Sequence, residues 1–148
     1  MSRKEQRDIE LFIVDIFIAI EKIKEYIEPF NNEEDFRHSS LHWDASIRQL
    51  EIIGEALNNL LNNEYFNSLS PAYFRNVISH GYFGIDLDEV WNVICVKLEI
   101  LNNDLLSLVK SKIDLSYAID TELNEYTKLN DKNITKFLIK MRKDLNAK

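Results

Sequence analysis

Ile9, Ile13, Ile16, Ile20, Ile23 and Ile27 recur at steps of four and three, the repeat of one face of an α-helix. Leu11, Phe12 and Phe17 widen that seam into a core-facing stripe. The pattern predicts a helix from about Lys4 to Glu28, ended by Pro29. After the polar run from Asn31 to Asp35, the same spacing returns at Trp43, Ile47, Leu50, Gly54, Leu57 and Leu61. It predicts a second helix that starts at Glu33 or Ser40 and runs to Asn62. Gly54 sits inside that seam, where a missing side chain lets a neighbouring helix come close. Close packing would offset the cost of a mid-helix glycine, about 1 kcal/mol.

Ser70-Pro71 reads as the start of a short third helix, with serine as cap and proline in the first turn. That helix is expected to stop near His80-Gly81. Asp86 with Glu89 three residues later resembles a capping box. It would open a fourth helix that keeps Leu87, Val90, Ile94, Leu98, Leu101, Leu105 and Leu108 on one face. From Ile113 to Tyr126 no clean period appears, and Asn133 to Leu145 reads as a terminal basic helix. The expectation is an all-α chain: an antiparallel four-helix bundle over residues 1–110, with a helical extension over 111–148 packed on the same domain.

Composition fits that picture. The chain has 148 residues, with only three glycines and two prolines to break it, which means few turns and long helices. Cys95, alone, excludes an intramolecular disulfide and fits a reducing compartment. No apolar run approaches the roughly 18 residues of a membrane span, and the N-terminal residues are charged without the apolar core of a signal peptide. The expected setting is cytoplasmic, with no membrane partner.

Charge divides unevenly. Residues 1–110 hold 10 Lys+Arg against 19 Asp+Glu, a net of −9, while residues 132–148 hold six basic residues against Asp144 alone, a net of +5. An acidic body does not advertise a nucleic-acid binder. The basic tail either offsets it or lies on the acidic body as a solvated face.

Against this helical background, residues 75–84 are chemically dense. Arg75, Asn76, His80 and Tyr82 fall there with two of the three glycines, Gly81 and Gly84. On a helix, Asn76 and His80 are i, i+4 neighbours, so the amide can orient the imidazole. Arg75 and His80 are about 140° apart on a straight helix. They converge if the helix ends at His80, or if each meets its counterpart from a second subunit. A guanidinium, an imidazole and a phenol around one cleft suit phosphodiester chemistry. The imidazole takes a proton from a 2′-hydroxyl or returns one to a leaving oxygen. The guanidinium matches phosphate oxygens and stabilises charge in the transition state. This chemistry requires no metal or cofactor, and His38, His42 and His80 lack companion ligands at metal spacing. Taken singly, each of these residues has an ordinary structural explanation. Arg48 and Glu55 read as a surface ion pair, and His38, His42 and Trp43 as core or interface.

The order of two segments carries a resemblance. Arg75-x4-His80-x-Tyr82, inside RNVISHGYFGIDLDEVW, follows an upstream segment from Ile47 to Ala56, IRQLEIIGEA. Together they resemble the HepT-like HEPN ribonucleases, the toxin halves of bacterial MNT–HEPN (type VII) toxin–antitoxin pairs, over about residues 8–108. The resemblance implies a HEPN-type helical homodimer in which the motifs of both subunits face one cleft. It implies metal-independent RNA cleavage by Arg75 and His80; the supporting role of Asn76 rests on its spacing to His80. It also implies a nucleotidyltransferase antitoxin of the MNT type that transfers AMP from ATP to Tyr82. Phosphate and adenosine beside His80 would block the cleft by bulk and charge. The resemblance is silent on residues 111–148. The alternative is a HEPN module that binds a nucleotide or the partner and cleaves nothing.

Overall fold

In the computed structural model, which describes residues 2–72, 75 and 86–146, every regular element among those residues is helical. The first is α1 (Arg3–Ile27), then α2 (Glu33–Arg37), α3 (Ser40–Leu61) and α4 (Glu64–Leu69). A long rod, α5, is built from Val90–Asn92, a π-helical turn at Val93–Lys97, and Leu98–Lys112. Two more helices follow, α6 (Ser116–Lys128) and α7 (Lys132–Asn146). No helix among the described residues is long and apolar enough to cross a membrane.

α1 is the post around which the others stand. Ser2 and Glu5 cap it reciprocally: the Ser2 hydroxyl accepts from Glu5 N at 3.1 Å, and Ser2 N donates to the Glu5 carboxylate at 3.2 Å. Such a cap stabilises a helix by about 1 kcal/mol. Every residue from Ile13 to Ile20 except Asp15 is buried. A helix apolar all round must be enclosed, and α1 packs against α3, α5, α6 and α7.

Of the two starts expected for the second helix, Ser40 is the one observed, and Glu33 opens a separate short helix. α2 ends at His38, and Ser39 opens α3. The seam of α3 is also turned from its predicted position. Its buried residues are Ser46, Gln49, Leu50, Ile53, Ala56, Leu57 and Leu60, while Trp43, Ile47, Gly54 and Leu61 lie half-buried at the border. The fully enclosed small residues of this helix are therefore Ser46 and Ala56, not Gly54.

The predicted capping box of α5 does not form. Asp86 Oδ1 accepts from Asp88 N at 3.0 Å, and the Asp86 carbonyl accepts from Glu89 N at 2.9 Å. Residues 86–89 thus make a turn stabilised by the short aspartate side chain, and Leu87 is 54% exposed. Within α5, Leu98 N donates to the Val93 carbonyl, one residue wider than an α-turn. That extra residue lets Val93 and Ile94 both enter the core before Leu98, Leu101, Leu105 and Leu108 resume the seam.

Residues 116–146 form a helical hairpin against α1. Asn130 turns the chain with φ 57°, and the last carbonyls of α6 accept from Leu129, Asn130 and Asp131 N. A left-handed asparagine after a helix end is the second choice to glycine for this turn. Asp131 Oδ1 then caps α7 by accepting from Ile134 N at 3.1 Å. Ala118, Ile119, Ile134, Leu138 and Met141 join the common core. Arg142 pairs with Asp120 across the hairpin. Arg7 lies 4.2 Å over the Tyr117 ring, and Lys22 donates to the Tyr126 hydroxyl at 2.9 Å.

Candidate active site

The described approach to the dense stretch begins with α4, a helix of six residues that needs help at both ends. Asn63 Oδ1 accepts from Phe66 N at 2.9 Å, and the fully buried Phe66 anchors the helix to the core. Asn67 Nδ2 donates to the Leu61 carbonyl at 2.7 Å and so ties α4 to the end of α3.

The far end of α4 leaves carbonyls without helical partners, and two cations take them. Arg75 Nη1 donates to the carbonyls of Asn67 at 2.5 Å and Ser70 at 2.7 Å. Lys112, from the last turn of α5, donates from Nζ to the Leu69 carbonyl at 2.8 Å. Arg75 N in turn donates to the Pro71 carbonyl at 3.2 Å, a helical turn. Ser70 therefore closes α4: its N–H donates to the Phe66 carbonyl, its backbone is extended, and its hydroxyl has no partner among the described residues. Among the described residues, the serine cap expected for the next helix is not made.

The other side of the stretch is held by α2. Arg37 Nη2 donates to the Leu87 carbonyl at 2.5 Å and lies 3.4 Å from Asp88 Oδ1, while its Nε sits 3.6 Å from Glu33. Its guanidinium stacks 5.3 Å over the Trp43 ring. Beneath it, Phe36 is fully buried and contacts Phe30, Trp43 and Trp91 at centroid distances of 5.3–5.6 Å. Tilted and edge-on rings at this spacing add to the burial of their area. Trp91 belongs to the first turn of α5, so the aromatic cluster fixes where the chain returns after residue 85.

Of the residues expected to act, only Arg75 falls within the described part of the chain; Asn76, His80 and Tyr82 lie outside the described residues. Arg75 is half-buried. Its Nη1 is committed to backbone carbonyls, while Nε and Nη2 have no partner among the described residues. A planar guanidinium can serve both tasks at once, because its donors fan out along separate edges. Arg48 pairs with Glu51 at 3.3 Å, with both side chains exposed, and Glu55 is exposed as well. His42 Nδ1 is 2.7 Å from the Ser39 hydroxyl, and its ring meets Phe30 edge-on at 5.0 Å. His38 is exposed at the end of α2. Among the described residues, no group of three His, Cys, Asp or Glu side chains is placed to hold a metal ion. The supporting roles of Arg37 and Lys112 carry no signal in the sequence, since each depends on a backbone carbonyl about 40 to 50 residues away.

Comparison with known proteins places this architecture. Residues 16–108 match the family described as ribonuclease HepT-like. A protein of Methanocaldococcus jannaschii named as a "Gamma-glutamylcyclotransferase and putative RNase" is 33% identical over 110 residues, covering 71% of this chain and 49% of that protein. This chain thus spans about half the length of that relative. A "Probable ribonuclease HepT" of Thermococcus cleftensis is 37% identical over 90 residues, covering 56% of this chain and 79% of the relative. A further M. jannaschii protein, named a "Putative RNase", is 30% identical over 95 residues, covering 60% and 85%. No solved structure matches the chain. With the family match spanning more than half of its residues, the chain belongs to the ribonuclease HepT-like family.

Proposed function

We propose that this protein is the toxin of a type VII toxin–antitoxin pair, a metal-independent endoribonuclease that uses Arg75 and His80 at a dimer cleft. Family membership supports a ribonuclease-type activity. The observation that carries the assignment to residues is the R-x4-H-x-Y order at Arg75, His80 and Tyr82 within the matched region. On this reading residues 1–110 form a HEPN-type antiparallel four-helix bundle, and residues 111–148 are an extension packed on it.

In the reaction, His80 takes the proton of a 2′-hydroxyl as that oxygen bonds to phosphorus. The bond from phosphorus to the 5′-oxygen breaks, and the leaving oxygen takes up a proton. Arg75 stabilises the equatorial oxygens through the guanidinium edge that the α4 carbonyls leave open. Asn76 orients the imidazole. A nucleotidyltransferase antitoxin of the MNT type transfers AMP from ATP to the Tyr82 oxygen, which loses its proton as the α–β phosphoanhydride bond breaks and pyrophosphate leaves. The product places negative charge and bulk beside His80 and stops cleavage. The substrate is RNA, the assembly a homodimer and the setting cytoplasmic, with no cofactor.

A second reading is favoured by the acidic body, with 19 acidic against 10 basic residues over 1–110. There the same cleft binds a nucleotide or the partner and cleaves nothing. Expression in bacterial cells separates the two. The toxin arrests growth alone and is relieved by its transferase, with an AMP mass increment on Tyr82; the binding module leaves growth unchanged.

A further inference from the structure

A cleft of about 720 Å³ opens between α1, α5 and α7, away from the end of α4. It exists because α7 lies along α1, and α7 is outside the region matched to the family. Its volume is in the range of small-molecule sites, roughly 300–1,000 Å³. The floor is apolar, with Phe17, Ile20, Leu106, Phe137 and Met141 lining it.

The two lips differ in charge. Glu21, Glu25 and Glu28 form one row along α1, at helical spacing, with Lys24 among them, so this lip is net acidic. Lys136 and Lys140, one turn apart on α7, face Lys110 from α5 on the other lip, with Asp144 beside them. Among the described residues, Lys110, Lys136 and Lys140 make no ion pair, although an acidic row stands across the cleft. Among the described residues the cleft is bridged by a hydrogen bond that is neutral on one side, from Asn133 Nδ2 to Glu25 Oε1 at 3.0 Å. The lysines are therefore available to an anion, and the carboxylates to hydrogen-bond donors.

We infer that this cleft binds a nucleotide unit: phosphate on the Lys110–Lys136–Lys140 lip, base over Phe137 and Met141, and ribose hydroxyls or an exocyclic amine donating to the α1 carboxylates. Each part of the cleft selects for that chemistry. Inorganic phosphate leaves the apolar floor uncovered. A fatty acid offers no donors to the carboxylate row, and an acidic peptide is repelled by it. Stacking on an aromatic face contributes about 1–3 kcal/mol per base, and the lysines add a salt-dependent attraction. The unit comes either as a free nucleotide or as one residue of an RNA strand, and both offer the same contacts. The inference does not depend on cleavage at Arg75 and His80.

The test is a calorimetric titration of the full chain carrying His80→Ala, with AMP and with a six-nucleotide oligoadenylate. The same titrations are run on Lys136→Glu/Lys140→Glu and on Lys143→Glu, whose side chain does not line the cleft. The inference predicts that at least one probe binds, that the double variant weakens it more than tenfold, and that Lys143→Glu changes it less than twofold. Binding of AMP assigns the site to free nucleotides, and binding of the oligonucleotide alone assigns it to an RNA strand. Failure of both probes to bind overturns the inference, as does equal weakening by Lys143→Glu. Loss of RNA cleavage in the parent chain with binding intact would instead count against the ribonuclease reading alone.

Discussion

Arg75 reaches back eight residues to place Nη1 2.5 Å from the Asn67 carbonyl oxygen. The same nitrogen lies 2.7 Å from the Ser70 carbonyl, so a residue of the proposed catalytic pair also closes the end of α4. On the proposed reading, fold and chemistry share one side chain, and the two roles can be separated by substitution.

Arg75→Ala strands two carbonyls that a half-buried cation now satisfies. Each unmade bond of this kind costs about 1–3 kcal/mol. For a chain of this size roughly 2–4 °C of Tm is lost per kcal/mol, so the expected fall is several degrees, measured by thermal denaturation. Arg75→Lys keeps a donor for the carbonyls but has no second edge for phosphate. It is expected to hold Tm within a few degrees while losing RNA cleavage at least about tenfold. Equal loss of stability in the two variants would assign Arg75 to the fold alone.

Arg37→Ala removes the clamp on the Leu87 carbonyl and the stack over Trp43. The guanidinium is partly exposed, so the expected cost is modest, about 1 kcal/mol. Hydrogen exchange should rise in residues 86–92 and stay unchanged in α7, which does not touch this clamp. Uniform protection across both segments would show that Arg37 does not hold that turn.

Asp15 and Glu122 set a pH dependence. Burial raises the Asp15 carboxyl, with Lys22 opposing. Burial, then Asp15 and Glu125, raise Glu122, again against Lys22. The unfolded chain releases these protons at lower pH than the folded one, so stability from these groups is fully present below the ordinary carboxylate range. It falls as pH rises through the raised folded values. Glu122→Gln is therefore expected to raise Tm at pH 7 and to leave it unchanged near pH 3, by thermal denaturation across that range. A lower Tm at pH 7 would mean that the Glu122 charge stabilises the hairpin.

Glu122 also explains why α6 escapes a reading of the sequence. Its inward face runs through Leu115, Ala118, Ile119, Glu122 and Tyr126, at true helical spacing but with an acid in the middle. A stripe interrupted by a half-buried carboxylate shows no clean period. α1 is legible for the opposite reason, since nothing polar breaks its isoleucine seam. The turned seam of α3 reflects competition between bulk and fit: Trp43 and Ile47 are large enough to suggest a core face. Ser46 and Ala56 are the small side chains that end up enclosed. Asp86 fits a capping box by spacing, yet its side chain bonds two residues on instead of three. At the candidate site, the residue types of R-x4-H-x-Y are visible in the chain. The α4 carbonyls that orient Arg75 are not, because backbone acceptors carry no letter of their own.

The most direct test of the central claim is cleavage of a short RNA by the purified full chain in excess EDTA, compared with His80→Ala. The account predicts cleavage by the unmodified chain, with a 2′,3′-cyclic phosphate on the 5′ product. It predicts at least about a hundredfold loss in His80→Ala, with circular dichroism and Tm unchanged. A His80→Ala chain that cleaves at the parent rate, or activity that vanishes with EDTA, would contradict it.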